Sequence, residues 1–215
     1  MRIVTIRSDL ELVQAWRAGD TDAGSKLFER HFDSIYAFFL VKVGDAAEDL
    51  VQQTFTACAR RCGGYRGEAS FRAYLLGIAR NELYEWLHRR HRDLERERID
   101  DLCLADLGPT PSGVVARKDD ARMLLEALRR LPLEQQIVVE LFYFERLRGR
   151  DLVAALGISE GTIRSRLRLA LVRLRRDFAS LGGAGAGLAT TLTNLDDWAR
   201  EVRRARSEDK RRGSE

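Results

Sequence analysis

The chain has 215 residues, 45% of them apolar and 33% charged, with three prolines and a formal net charge of +4. Such a chain holds one ordinary domain or two small helical ones, and so mild a charge does not by itself point to a polyanionic partner. The longest apolar stretch, residues 35–43, is interrupted by Lys42 and is far too short to cross a bilayer, and Met1–Leu10 has no apolar core followed by a small-residue cleavage site. No membrane insertion and a cytoplasmic location are therefore expected. All but four of the 37 basic residues are arginine. The arginine fork suits phosphates and base edges, although the codons of a GC-rich genome would produce the same bias. Cys58, Cys62 and Cys103 are odd in number, which predicts free thiols.

Helical periodicity dominates. Leu12, Ala15 and Trp16, then Leu27, Phe28, Phe32, Ile35, Tyr36 and Phe39, recur at steps of three and four; Gly19–Asp22 divides them into two helices and Gly44–Asp45 ends the second. A third helix is expected from Ala46 to about Arg61, a loop over Gly63–Gly67, and a fourth helix from about Ser70 to Arg92 with Phe71, Leu75, Ile78, Leu83 and Leu87 near one face. Residues 99–113 carry Asp100, Asp101 and Asp106, no basic residue, and Pro109 and Pro111, which reads as a linker. Helices resume near Ala116, and Leu131–Pro132 marks a stop and a new start. The expected fold is all-α: two small helical domains, 1–96 and 116–180, joined by a flexible acidic linker over 97–115. A Gly/Ala hinge and a C-terminal helical extension fill 181–215.

Arg148–Phe178 reads as helix, tight turn, longer helix. Gly157 supplies the left-handed residue, Ile158 plugs the angle and Ser159 caps the next helix, which is the helix-turn-helix pattern. In the second helix Ile163, Leu167, Ala170, Leu171 and Leu174 form the buried stripe. The opposite face carries Arg164, Ser165, Arg168 and Arg175, flanked by Arg166 and Arg173. A solvated polar face on an ordinary hairpin is the bland alternative. It predicts neither the Gly-Ile-Ser turn nor the near-exclusion of acids, so this face is expected to enter a major groove.

The run Leu156–Leu167 (LGISEGTIRSRL) and the approach Leu131–Gln136 (LPLEQQ) resemble the promoter-reading part of extracytoplasmic-function sigma factors. The resemblance implies −35 recognition by Ser159, Thr162, Arg164, Ser165, Arg168 and Arg175, with Thr162 near phosphate. One stretch departs from the family pattern. Glu145–Arg150 (ERLRGR) stands where the family more often has glycine, a small residue and acids.

The first half carries a second resemblance. Asp45–Phe55 (DAAEDLVQQTF) is similar to the family's polymerase-docking helix. Leu50, Val51 and Phe55 are its apolar anchors. The resemblance directs the acid-amide face of Glu48, Asp49, Gln52 and Gln53 to the clamp helices of the polymerase β′ subunit. Tyr65–Asn81 (YRGEASFRAYLLGIARN) resembles the family's −10 loop and helix. Melted bases need a pocket, a stacking ring and hydrogen-bonding groups. The 63–70 loop with Asn81 supplies the pocket, and the implied −10 set is Tyr65, Arg66, Arg72, Tyr74, Arg80, Asn81, Arg89 and Arg90. Arg72, Arg80, Arg89 and Arg90 suit phosphates. Tyr74 replaces the family's usual tryptophan, and Phe71 is assigned to the core.

His88, His91, Cys58 and Cys62 do not make a convincing zinc set, since the histidines lie in a basic run. No metal, cofactor or catalytic constellation is expected, so the chain is read as a non-enzyme. The resemblance implies a factor that binds core RNA polymerase, including its β flap, and promoter DNA, with an anti-sigma factor as a further partner. The alternatives are a stand-alone helix-turn-helix regulator, whose first half would be a sensor, and a sigma-like adaptor. Leu188, Leu192, Leu195, Trp198 and Val202 form an apolar stripe in the extension. It is expected to pack on the second domain or to form a partly disordered tail or, more sharply, to cover a working surface until displaced.

Overall fold

The computed structural model describes residues 7–90, 99–107 and 119–182. Among these the chain is helical, with one isolated antiparallel bridge between Cys103 and Pro132. The first half comprises α1 (Asp9–Arg17), α2 (Thr21–Val43), α3 (Ala47–Arg61) and α4 (Phe71–Arg90). The second comprises α5 (Asp119–Arg129), α6 (Leu133–Val139), α7 (Gly149–Leu156) and α8 (Glu160–Ser180).

The ends of these helices follow local chemistry. Ser8 and Glu11 close a capping box on α1, with the Ser8 N–H donating to the Glu11 carboxylate at 2.6 Å. Asp20 caps α2 by accepting from the Ala23 N–H at 3.0 Å, and Gly44 ends that helix at a φ of 57°, where a side chain would be strained. Pro132, with a ψ of 139°, is the N-cap of α6. The helix then widens over Glu140–Phe144, where the Glu145 N–H reaches back five residues to the Glu140 carbonyl at 3.0 Å.

Phe39, Leu50, Phe71, Leu75, Leu76 and Leu83 are fully buried at the centre of the first half. Ile137, Val138, Leu141, Leu152 and Leu156 of the second half belong to the same continuous core. A smaller cluster of Leu124, Leu128, Leu131, Val139, Ala170, Leu174 and Phe178 knits α5, α6 and α8 together. The two halves therefore pack on each other, mainly through α4 against α7. The described part of the linker packs as well. Ile99 and Leu104 are fully buried, and the Leu102 carbonyl accepts from the Leu133 N–H at 2.9 Å. Apolar side chains among the linker acids explain this: they have a core within reach to bury against.

Charged groups bridge the halves. Lys42, with no exposed side-chain surface, pairs with Glu140 and donates to the Phe38 carbonyl at 2.7 Å. Arg129 donates to the Val41 carbonyl at 2.7 Å and to the Leu104 carbonyl at 2.9 Å. Its burial lowers the guanidinium pKa. No described helix is long and apolar enough to cross a membrane. The expected hinge and C-terminal helix lie outside the described residues, apart from the turn that ends at Gly182.

Candidate nucleic-acid interface

The α7–α8 turn forms as its residues dictate. Gly157 takes φ 69° and ψ 22°, Ile158 packs half-buried against the core, and Ser159 Oγ accepts the Thr162 N–H at 3.2 Å. Ile163, Ala170 and Leu174 are buried, with Leu167 and Leu171 half-buried. On the opposite side Ser159, Thr162, Arg164, Ser165, Arg168 and Arg175 are all exposed. The Arg164 side chain keeps 79% of its surface in solvent and meets Glu160 only at 4.0 Å. Arg164 to Arg175 spans about 16 Å along the helix at ~1.5 Å per residue. Arg166 instead ties α8 to α6 by pairing with Glu134. Burial pushes the Glu134 carboxyl up, and Arg166 opposes that rise. The exposed face also carries two apolar groups, Leu169 and Val172.

The first half brings its expected pocket residues together. A cleft of about 410 Å³ is lined by Gly64, Tyr65, Arg66, Glu68 and Ala69 of the loop and by Tyr74, Arg80 and Asn81 of α4. Tyr65 is buried, its hydroxyl donates to the Ala69 carbonyl at 2.8 Å, and burial raises its pKa. Tyr65, Phe71 and Tyr74 form a ring cluster, with Tyr65 edge-on to Phe71 at 5.5 Å and tilted to Tyr74 at 5.3 Å. Phe71 is core, as its shared face predicts. Tyr74 is half-buried and donates to the Arg61 carbonyl at 3.1 Å. Arg61 lines the cleft too, a placement that sequence reasoning missed.

The arginines of α4 differ in availability. Arg66 on the preceding loop, with Arg89 and Arg90 at the end of the helix, are exposed, and Arg90 lies over the Trp86 ring at 5.2 Å. Arg80 lies over the Tyr84 ring at 4.6 Å, and the Tyr84 hydroxyl donates to Asp100 at 2.6 Å. Burial and Asp100 raise the Tyr84 pKa. Arg72 is engaged by the second half, pairing with the Glu145 carboxylate at 3.7 Å and donating to the Glu145 carbonyl. One wall of the cleft comes from the second half as well, at Ala154–Gly157.

On α3, Leu50 and Val51 are buried and Phe55 is half-buried. Glu48, Asp49, Gln52 and Gln53 are exposed on the side away from them. Cys58 is a free thiol in the core, and the described residues contain no cluster of three or more potential metal ligands.

A helix-turn-helix with an open arginine face, and a loop–helix cleft ringed by tyrosine, arginine and asparagine, define the class of helical protein to which the described residues belong. Comparison with known proteins places that class. Residues 27–93 match the Sigma-70 region 2 family and residues 121–174 match Sigma-70 region 4. The chain is 33% identical over 166 residues to the RNA polymerase sigma factor CarQ of Myxococcus xanthus, covering 76% of this chain and 93% of CarQ. It is 31% identical over 160 residues to the ECF RNA polymerase sigma factor BldN of Streptomyces coelicolor, covering 73% of this chain. It spans 60% of BldN's length and 40% of that of a further relative. Among solved structures it resembles the sigma factor RpoE of Bartonella quintana, crystallised with the anti-sigma factor NepR. The TM-score is 0.54 at 26% identity, over 68% of this chain and 90% of that one. The chain belongs to the extracytoplasmic-function RNA polymerase sigma factors.

Proposed function

We propose that the chain binds core RNA polymerase in the cytoplasm and directs promoter-specific initiation, reading a −35 element with α8 and opening a −10 element with the α4 cleft. The observation that carries this reading is the exposed α8 face, on which Arg164, Ser165, Arg168 and Arg175 all reach solvent while the helix start is capped by Ser159. Residues 1–96 serve as the docking and −10 unit and 116–180 as the −35 unit. Glu48, Asp49, Gln52 and Gln53 face the β′ clamp helices, and the 116–180 unit meets the β flap. An anti-sigma factor is a further partner, as in the co-crystallised relative. No cofactor enters the proposal, and polymerisation chemistry belongs to the partner, so the chain is not itself an enzyme.

The test is transcription in vitro by core polymerase on a promoter library, with and without the purified chain. A set of promoters sharing −35 and −10 motifs should fire only when the chain is present. Gel shifts should find tight binding to core and weak binding to free promoter DNA, since the −10 cleft is walled by the second half. Tight, sequence-specific duplex binding by the chain alone, without stimulation of core, would overturn the reading in favour of a stand-alone regulator.

A further inference from the structure

The loop that leads into the helix-turn-helix goes against local preference at three arginines. Arg146 adopts a φ of 54°, a left-handed backbone that glycine takes freely and a side chain resists. Arg148 is the N-cap of α7, and no side chain caps that helix. Arg150 stands in the first turn, where the helix dipole disfavours a cation. The backbone holds Arg146 from both sides. The Glu145 N–H donates to the Glu140 carbonyl at 3.0 Å and the Leu147 N–H to the Leu141 carbonyl at 2.9 Å. Arg148 is pinned as well, over the Phe142 ring at 3.7 Å, with its guanidinium donating to the Phe142 carbonyl. Each departure lowers stability, and departures that cluster in this way mark working sites.

All three arginines are exposed. The acids beside them are turned to the first half: Glu145 accepts the Ser34 hydroxyl at 2.6 Å, and Asp151 accepts the Ser70 N–H at 2.8 Å. In a helix-turn-helix the first helix crosses the DNA backbone while the second reads bases. Arg150 lies about 9 Å along α7 from its end at Leu156. The segment therefore stands where the motif meets phosphates, one helix away from Arg164 and Arg168.

We propose that Arg146, Arg148 and Arg150 form a clamp on the duplex phosphates beside the −35 element, adding affinity without reading sequence. The inference rests on the reading of α8 as a −35 surface. The guanidinium fork matches phosphate oxygens. Each phosphate it neutralises releases counterions, so the clamp shows itself as a salt dependence common to every −35 sequence. It also accounts for cations at positions where a glycine, a capping residue and an acid would make a better helix start.

The test is promoter binding, measured against salt, by holoenzyme assembled from core polymerase and the full chain. The unsubstituted chain is compared with Arg146→Gly/Arg150→Gln and with Arg164→Ala; Arg148 stays in place because it packs on Phe142. The clamp variant should bind every promoter about tenfold more weakly and flatten the slope of log affinity against log salt by about two, at ~0.9 for each phosphate contact. Its −35 preference should be unchanged, and urea should unfold it no sooner than the unsubstituted chain. An unchanged slope overturns the clamp. Unfolding at lower urea does so too, because the arginines then serve the fold. So does a loss confined to the affinity for core polymerase, which would assign them to an acidic protein surface. If the unsubstituted chain shows no promoter-selective binding, the −35 reading falls and takes the clamp with it. If Arg164→Ala relaxes −35 preference while the clamp variant keeps the full slope, the clamp alone falls.

Discussion

The faces of α8 and α4 are built from the same residue types and stand in opposite states. On α8 Arg164, Arg168 and Arg175 reach water and the acids are few: Glu160 touches Arg164 only at 4.0 Å, and the exposed face extends to Arg175. On α4 Arg72 is held by Glu145, Arg80 covers Tyr84, and the cleft beside Asn81 is walled by α7. A set of contact residues and their availability are therefore separate properties. The first is written in the spacing along one helix. The second is set by what packs against that helix from elsewhere in the chain.

The largest expected effect comes from disrupting the cover at its buried charge pair. Lys42→Ala strands Glu140, which is buried and retains the Gln136 amide at 2.9 Å as a neutral partner. Removing one partner of such a pair costs roughly 3–5 kcal/mol, whereas replacing both by apolar groups of similar volume is often neutral or better. Urea unfolding should therefore find Lys42→Ala much weakened and Lys42→Met/Glu140→Leu close to wild type. A loss below about 1 kcal/mol for Lys42→Ala would mean that water reaches the pair and that the contrast between a covered α4 and an open α8 is overdrawn.

The open surface is tested by its arginines. Arg164→Ala or Arg168→Ala should relax −35 preference by about 1–3 kcal/mol, the value of one bidentate base contact. Arg175→Ala should weaken all promoters alike, as a phosphate contact does. Transcription from templates varied at the −35 element separates the two patterns. An unchanged preference profile in both reader variants would remove the base-reading role from this face.

A smaller effect is expected where the sequence speaks most plainly. Ser159→Ala removes the cap on α8 and should cost about 1 kcal/mol. Amide exchange should localise the loss to the first turn of α8 and leave α4 protected. Exchange that rises equally in α4 would show that the two halves open as one unit.

These cases also mark how far the sequence reaches. Gly44, Gly157, Ser159 and Asp20 fix helix ends through chemistry within a few residues, so the boundaries of α2 and α8 were legible. So was the α8 face, because the helical repeat orders it. The cover was not. Glu140 lies 98 positions from Lys42, and Glu145 is 73 from Arg72. No periodicity encodes such pairings. Two signs were nonetheless present. Lys42 interrupts an otherwise apolar run and is buried in the structure, where a charge needs a partner. Helix α4 also buries Ala73, Leu76 and Ala79 in addition to Phe71, Leu75 and Leu83, and a helix apolar on several sides is one that is packed on several sides. In sequence the segment Glu145–Arg150 stands out only as a departure from the family pattern; in the structure Glu145 pairs with Arg72 across the interface, and Arg148 lies over the Phe142 ring at 3.7 Å.

The smallest effect lies at α1, which packs on α2 and whose Arg17 donates to the Tyr65 carbonyl of the cleft loop. Asp9 accepts from His31 at 2.8 Å and from Arg30 at 2.6 Å. The hydrogen bond from His31 holds its carboxyl below the ordinary carboxylate range, against a partial burial that raises it, with Arg30 adding to the lowering. A carboxyl depressed in the folded state stabilises that state above its unfolded pKa. The contribution is lost as pH falls through the folded value. Glu11 acts in the same sense, lowered chiefly by the Ser8 backbone N–H. Docking of α1 should therefore weaken as pH falls through and below the ordinary carboxylate range. Amide exchange at Leu12 and Val13, both buried, reports this docking directly. Asp9→Asn should flatten part of the acid dependence and Glu11→Gln the remainder, while exchange in α4 and α8 stays unmoved by either. If Asp9→Asn leaves the acid profile of α1 unchanged, the His31 contact does not hold the helix, and Glu11 and the Ser8 cap do so alone.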